Sequence, residues 1–562
     1  MPTVRRAEAN KAQRSDSPAQ QFIQRLPKLA TQLTHICNAM SETSPSTIRA
    51  RGIPVALAVL LALAIALVPL WSTEIPPMLD YHNHLARQYI LFNYESSEYL
   101  SQYYKVSWHA SPYLAFDSIV QGFAQFVPVD VAGKLFLSLL LLLLALAPIA
   151  LNLALFGRVT PIALIGLLFV HNDTVTLGFV NYLFSIGFAL CLLALWIRFR
   201  EGPNWVRLLA FPILCSLLFF SHLLGYAIYL LMVGSYELGR HIQHAWQRTP
   251  RAFFSLTREQ VRNLLSIAFQ CTLPLAIFMI YGPSTESVSS NTHGGLGRKF
   301  ELLQEMFTYL MPPYVWTLDR AVTLLLPLVA IALLAMRRLT VPGAMLWPLA
   351  AMLVLFFVMP MELFSGWGAD HRLLPALGLL LIGSIAPVQP AGPVMRQIGV
   401  LATAAIVALV AVRTGAVTVE WRKSNQEYAE YVAAFEHITP GSRMFFAFGH
   451  KDGDKQIGLR PNYHLPLLVL SRHAVYAPFL FASNSGGFTL QYQPSVEPMQ
   501  RLSKGPVLLN GASPNWPAIQ GTFDYFILVN EAYFDTPVPQ QLVPIYAGPT
   551  VKLYRRAPAD PS

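Results

Sequence analysis

Charge is what this chain of 562 residues has least of: Asp, Glu, Lys and Arg make up 12% of it. That is about half the share found in soluble domains. With 54% hydrophobic residues and a mean hydropathy of +0.44, the scarcity excludes an ordinary soluble fold. Cysteine is nearly missing as well. Four residues, Cys37 near the N-terminus and Cys191, Cys215 and Cys271 within apolar runs, give no disulfide framework. No cleavable leader is evident, because the first apolar run starts near residue 53 and is long enough to stay as an anchor. No internal repeat stands out, which weakens a transporter built from inverted halves. The net charge of +10 does not imply nucleic acid as a partner, since the arginines fall in the N-terminal tail and in alternate loops.

What is present is a series of apolar runs. About eleven are legible, near 53–71, 135–156, 159–171, 178–197, 206–221, 223–239, 263–281, 321–336, 343–360, 373–387 and 398–414. The pair meeting at Ser221-His222 also reads as one kinked hairpin. Basic residues before the first run (Arg5, Arg6, Lys11, Arg14, Arg25, Lys28, Arg49, Arg51) and at alternate loops set the N-terminus inside, while the connections at 172–177 and 222 carry neither Lys nor Arg. An odd number of spans then puts the C-terminus outside. The expectation is an α-helical polytopic membrane protein with a C-terminal extracytoplasmic α/β domain, in a bacterial-type inner membrane. Its parts are a disordered cytoplasmic tail at 1–50, a transmembrane domain at 51–414 with a large first outside loop at 72–134, and the α/β domain at 415–562. Met40 offers a second start.

The outside tail opens with a helical pattern from Trp421 to Phe435. Strand-like runs follow at Arg443–Phe448, Ala474–Phe481, Pro506–Leu509, Asp524–Val529 and Val551–Tyr554. The run Tyr525–Val529 reads as a strand covered on both faces.

The polar residues that matter gather on the outside. Asp80, His84 and Arg87 follow the first span at helical spacing and share a face, with His82 turned elsewhere. Asp117 stands in an aromatic stretch, His171 and Asp173 end the third span, His222 sits in the 206–239 hairpin, and Asp370, His371 and Arg372 precede the tenth span. Charge this close to hydrocarbon is costly unless it is paired or functional. Each has a plainer reading. Asp80 caps a helix starting at Tyr81, Asp117 pairs with Arg87 or Lys105, Asn172 caps a helix, Arg372 snorkels, and His222 packs in the bundle. A divalent ion at Asp80 and His84 stays open.

This layout resembles the GT-C superfamily of integral-membrane glycosyltransferases. Asp80, in Leu79-Asp80-Tyr81-His82-Asn83-His84, stands where protein mannosyltransferases and lipid A aminoarabinose transferases carry an Asp-Glu pair. Arg372-Leu373-Leu374-Pro375 is similar to an Arg-x-x-Pro element that opens a late span in bacterial relatives. Tyr81 departs from the acidic pair, which leaves metal use undecided. The resemblance implies inverting transfer of a sugar from a polyprenyl-phosphate donor to a cell-envelope glycan or lipid, with Asp80 as general base. His82, His84, Arg87, Asp117, His171, Asp173, His222, Asp370, His371 and Arg372 are then the candidate binding residues. A lipid-linked glycan flippase and a non-catalytic envelope-assembly protein are the alternatives.

Overall fold

The computed structural model describes residues 45–246, 256–281, 292–305, 313–363, 366–388, 393–450, 461–482, 488–503, 507–509 and 514–557. The tail expected before residue 45, with Cys37 and Met40, lies outside the described residues.

The fold is mostly helical. Helix α1 (Pro45–Trp71) leads to α2 (Leu79–Asn93) and α3 (Leu114–Ala124) of the first loop. Then come α4 (Val129–Phe156), α5 (Val180–Phe199), α6 (Phe211–Ser221), α7 (Leu223–Trp246), α8 (Arg258–Tyr281), α9 (Gly295–Glu305), α10 (Pro313–Ala335), α11 (Leu346–Val358), α12 (Leu373–Gly383) and α13 (Pro393–Phe435). Four helices among the described residues are long and apolar enough to cross a membrane, and six shorter apolar helices accompany them. Helices α4 and α5 form the most extensive pair. Gly187 permits it, since a Cβ there would stand 2.8 Å from that of Leu143.

The run at 159–171, read as one span, is broken. It forms Pro161–Leu164, a 3₁₀ turn Ile165–Phe169 and, after Asn172, the short helix Asp173–Thr176. Asn172 caps that helix by accepting from the Val175 amide, as its sequence position suggested. The pair at Ser221-His222 is two helices, with His222 extended between them at φ −170°.

The C-terminal region holds a five-stranded sheet and a strand pairing with the first loop. In chain order the strands are β1 (Tyr104–Val106), β2 (Met444–Gly449), β3 (Leu490–Tyr492), β4 (Val507–Leu509), β5 (Tyr525–Val529), β6 (Leu542–Ala547) and β7 (Val551–Arg556). The sheet order is β6-β7-β5-β2-β4, with β2 parallel to both β4 and β5 and the rest antiparallel. Every residue of β2 and β5 is buried, and the Tyr525–Val529 run that read as a two-sided strand is β5. The stretch 474–481 makes only an isolated bridge, Tyr476 to Arg443, and is otherwise loop.

Strand pairing and a helix both tie this region to the first loop. Strand β1 pairs antiparallel with β3, Tyr104 opposite Tyr492 and Val106 opposite Leu490. Helix α13 runs unbroken through residue 414, where the sequence suggested a domain boundary. Beyond that point Asn425 accepts from the amides of Glu74 and Ile75 at 2.7 and 3.1 Å and donates to the Ile75 carbonyl.

Candidate active site

A cavity of about 560 Å3 lies between the first loop, the helix ends and the C-terminal region. Asp80 and His84 come to it from α2, Tyr113 from just before α3, and Phe179, Asn181 and Tyr182 from the start of α5. His222 comes from the α6–α7 junction, Arg372 from the start of α12, and Phe481 and Phe488 from the C-terminal region.

Asp80 is the second residue of α2, whose cap is Met78 without a side-chain bond, so Asp80 does not cap a helix beginning at Tyr81. Its amide donates to the Leu177 carbonyl at 3.0 Å. The carboxylate keeps 21% of its surface, and Oδ1 lies 3.5 Å from Nδ1 of His464. Burial pushes the Asp80 carboxyl up to about 7, against the lowering pull of Arg372. A carboxyl poised there exchanges protons near neutrality.

Arg372 is held by ring faces. Its guanidinium lies 4.0 Å from the centre of Phe179 and 5.9 Å from that of Tyr182, and it donates to the Trp367 carbonyl at 3.3 Å. The Tyr182 hydroxyl donates to the Arg372 carbonyl. His222 stands edge-on between Tyr113 (5.1 Å) and Tyr182 (5.3 Å), with Nδ1 accepting from the Leu224 amide. Packing fixes the ring, as its plainer reading supposed, and the ring still faces the cavity.

His84 reaches the cavity with its ring against Phe481, centroids 5.0 Å apart. Its Nδ1 accepts from Arg87 at 3.4 Å, and burial, with Arg87 and His464 near, holds the ring well below the usual histidine range. Arg87 itself is fully buried beneath the cavity and does not line it. It donates to Asp117 at 2.6 Å, where Gln88 and Thr489 also donate at 2.6 and 2.8 Å. Asp117 is thus a structural acceptor bound to Arg87, one of the two partners its position suggested.

The remaining candidates lie off the cavity wall. His82 donates to the Pro76 carbonyl at 3.1 Å, and burial with His464 nearby takes its ring down to about 3. Nε2 of His171 donates to the Ala66 carbonyl at 2.8 Å, its ring edge-on to Trp421. Asp173 pairs with His371. Asp370 is fully buried, 2.9 Å from Lys299 and 3.3 Å from Arg298 of α9. The Asp173–His371 pair and the cations on Asp370 brace the loop that presents Arg372.

Several contributors were not read from the sequence as site residues, among them Tyr113, Phe179, Tyr182, His464, Phe481 and Phe488. The stretch carrying Phe481 is stitched to α2. Asn83 donates to the Phe479 carbonyl at 2.9 Å and accepts from the Phe481 amide at 2.7 Å, while Arg87 donates to the Phe481 carbonyl at 3.3 Å. Phe479 has φ +50°, a backbone strain sustained by those contacts. A Phe-rich segment without polar periodicity offers no signal of such a role; Asn83, polar and fully buried beside the acid, was the available hint.

Asp80 and His84 share the cavity, but among the described residues no three His, Cys, Asp or Glu side chains gather as ligands.

No family model matches the chain, and no curated protein sequence matches it. Among solved structures it is similar to ArnT from Cupriavidus metallidurans bound to undecaprenyl phosphate, at 14% identity and TM-score 0.48, over 89% of this chain and 97% of that one. The apo form of ArnT gives 13% and 0.48, over 90% and 98%. Arabinofuranosyltransferase AftD from Mycobacteria gives 16% and 0.45, over 90% of this chain and 42% of that one. At such identities and TM-scores the likeness assigns no role to any residue, and each role rests on the cavity's own geometry.

Proposed function

We propose that this protein is a membrane glycosyltransferase that moves a sugar from a polyprenyl-phosphate donor to a cell-envelope glycan or lipid. One observation carries the reading: Asp80 and Arg372, far apart in sequence, line the same ring-walled cavity. A base and a cation facing one space are the two groups that glycosyl transfer from a phosphate ester requires.

The acceptor hydroxyl gives its proton to Asp80 as its oxygen bonds to the anomeric carbon. The bond from that carbon to the phosphate oxygen breaks, and the electron pair leaves with the phosphate. Arg372, the one cation on the described cavity wall, stabilises that departing charge. Single displacement inverts the anomeric centre. The ring faces of Tyr113, Phe481 and Phe488 suit the apolar face of a sugar. His84 and His222, both hydrogen-bonded through Nδ1, keep Nε2 for a substrate hydroxyl. A lipid-borne donor fits a site beside apolar helices, since the carrier keeps its tail in hydrocarbon while its phosphate reaches Arg372. The reading includes an inner-membrane location, an inside N-terminus and an outside C-terminal region, in line with the basic inner loops.

The test uses the full chain in lipid nanodiscs with a labelled polyprenyl-phosphate sugar and envelope-lipid acceptors. Transfer that disappears in Asp80→Asn supports the reading. Full activity in that variant removes Asp80 as base, and translocation of the lipid-linked sugar without transfer favours a flippase.

A further inference from the structure

The C-terminal region brings an imidazole to the acid of the first loop. His464 sits immediately before a 3₁₀ helix (Leu465–Ser471), and its side chain keeps 12% of its surface. One of its nitrogens is hydrogen-bonded to the Leu79 carbonyl. Nδ1 is buried with no hydrogen-bond partner, and we take the ring's proton to sit on Nε2, toward the Leu79 carbonyl. That leaves Nδ1 as a bare lone pair, 3.5 Å from Oδ1 of Asp80. Two lone pairs facing each other at that distance repel, and a single proton between them turns the repulsion into a hydrogen bond.

We propose that His464 is a positioning residue for Asp80. Its neutral Nδ1 accepts the proton that Asp80 carries and fixes that carboxyl against the cavity. The proposal rests on the transferase reading for the origin of the proton, the acceptor hydroxyl. On transfer, that proton goes to Asp80 as the new glycosidic bond forms and the phosphate leaves; Asp80 then donates it in a hydrogen bond to Nδ1. The site is thereby completed by the C-terminal region. The other groups facing the pair are Arg372, His84, Tyr113, Tyr182 and His222 across the cavity and His82 behind it. Burial lowers the His464 ring to about 4, which keeps it neutral and able to accept.

Two substitutions separate this role from a merely structural one. His464→Gln retains an amide near Nε2, able to hold the Leu79 carbonyl, and removes the acceptor at Nδ1. His464→Asn does the reverse. Protonation of Asp80 is followed in nanodiscs by the infrared carbonyl stretch of the neutral acid, as the difference from Asp80→Asn. In the parent protein the midpoint is expected near 7. In His464→Gln it falls by about one pH unit, so the rise of kcat with pH shifts down by the same amount and its high-pH plateau drops about threefold, with KM for the lipid donor unchanged. In His464→Asn the midpoint stays near the parent value. A midpoint unmoved in His464→Gln, or moved only in His464→Asn, overturns the proposal. A parent protein that transfers no sugar yet shows the shift in His464→Gln refutes the transferase reading and leaves the pair intact.

Discussion

Gly178 lies against the backbone of Asp80. It has φ +78°, and a Cβ built on it would stand 2.6 Å from the Tyr81 nitrogen and 2.7 Å from that of Asp80. The neighbouring Leu177 carbonyl accepts the Asp80 amide, so the turn before α5 sets the height of the acid. Gly178→Ala combines a disfavoured dihedral with a backbone clash. We expect transfer to fall by about 100-fold, the scale of an ångström's displacement at a reacting group. Melting temperature and kcat/KM, measured together, check this.

Asp80→Asn separates activity from stability. Transfer falls by roughly 10²–10⁴-fold, as for loss of a general base. The folded carboxyl titrates near 7 and the unfolded one near its usual value, about 3.9. The stability tied to its proton is therefore complete below about pH 4 and is lost as pH rises through 7. The uncharged variant escapes that loss. It should be the more stable protein near pH 8, by on the order of 1–3 kcal/mol, with the difference vanishing below about pH 4. Paired melting curves at the two pH values test the sign.

The same midpoint gives the parent enzyme a rate that climbs with pH and levels above about 7, because only the ionised carboxyl accepts a proton. A kcat that falls as pH rises from about 6 to 8 would contradict Asp80 as base.

Arg372→Lys keeps the charge and loses the flat contact with Phe179. A compact ammonium neither stacks nor forks toward phosphate in the same way. We expect kcat/KM for the lipid-linked donor to fall by about 10²–10³, with the protein folded normally. A variant within about twofold of the parent would remove the phosphate role.

Asp117→Ala acts on the fold. It leaves the Arg87 guanidinium, which has no exposed surface, without its counter-charge, and frees Gln88 and Thr489. Stability should drop by about 3–5 kcal/mol. Activity per folded molecule should change far less than in Asp80→Asn, as read from denaturation and active-site titration.

The sequence was informative wherever chemistry and helical spacing coincide. Asp80 and His84 share a face of α2 because residues four apart do so on any helix, and Asp117 meets Arg87, one of its two expected partners. Local spacing does not say which end of a side chain is taken up. Arg87 and Arg372 both stood among the candidate binding residues, and only tertiary packing gave one a carboxylate and the other ring faces. His171 was expected to border the cavity and instead turns to the Ala66 carbonyl, a choice made by distant backbone. The C-terminal contributors were hidden for a related reason. Phe481 and His464 reach the acid by long-range hydrogen bonds and bridges, which leave no periodicity to read.

Helix α13 has one further implication. Arg413 grips Asp319 and the His171 carbonyl, and Asn425 holds the strand of chain leading to Asp80. At 1.5 Å per residue these two grips lie about 18 Å apart on a single rigid rod. The rod works as an indexing shaft. One residue inserted between the grips would swing Asn425 by about 100° away from Glu74 and Ile75. Length in this stretch is therefore under tighter constraint than composition: its exposed positions can drift in identity, while an insertion or deletion of one residue would put the acid out of phase with its cavity.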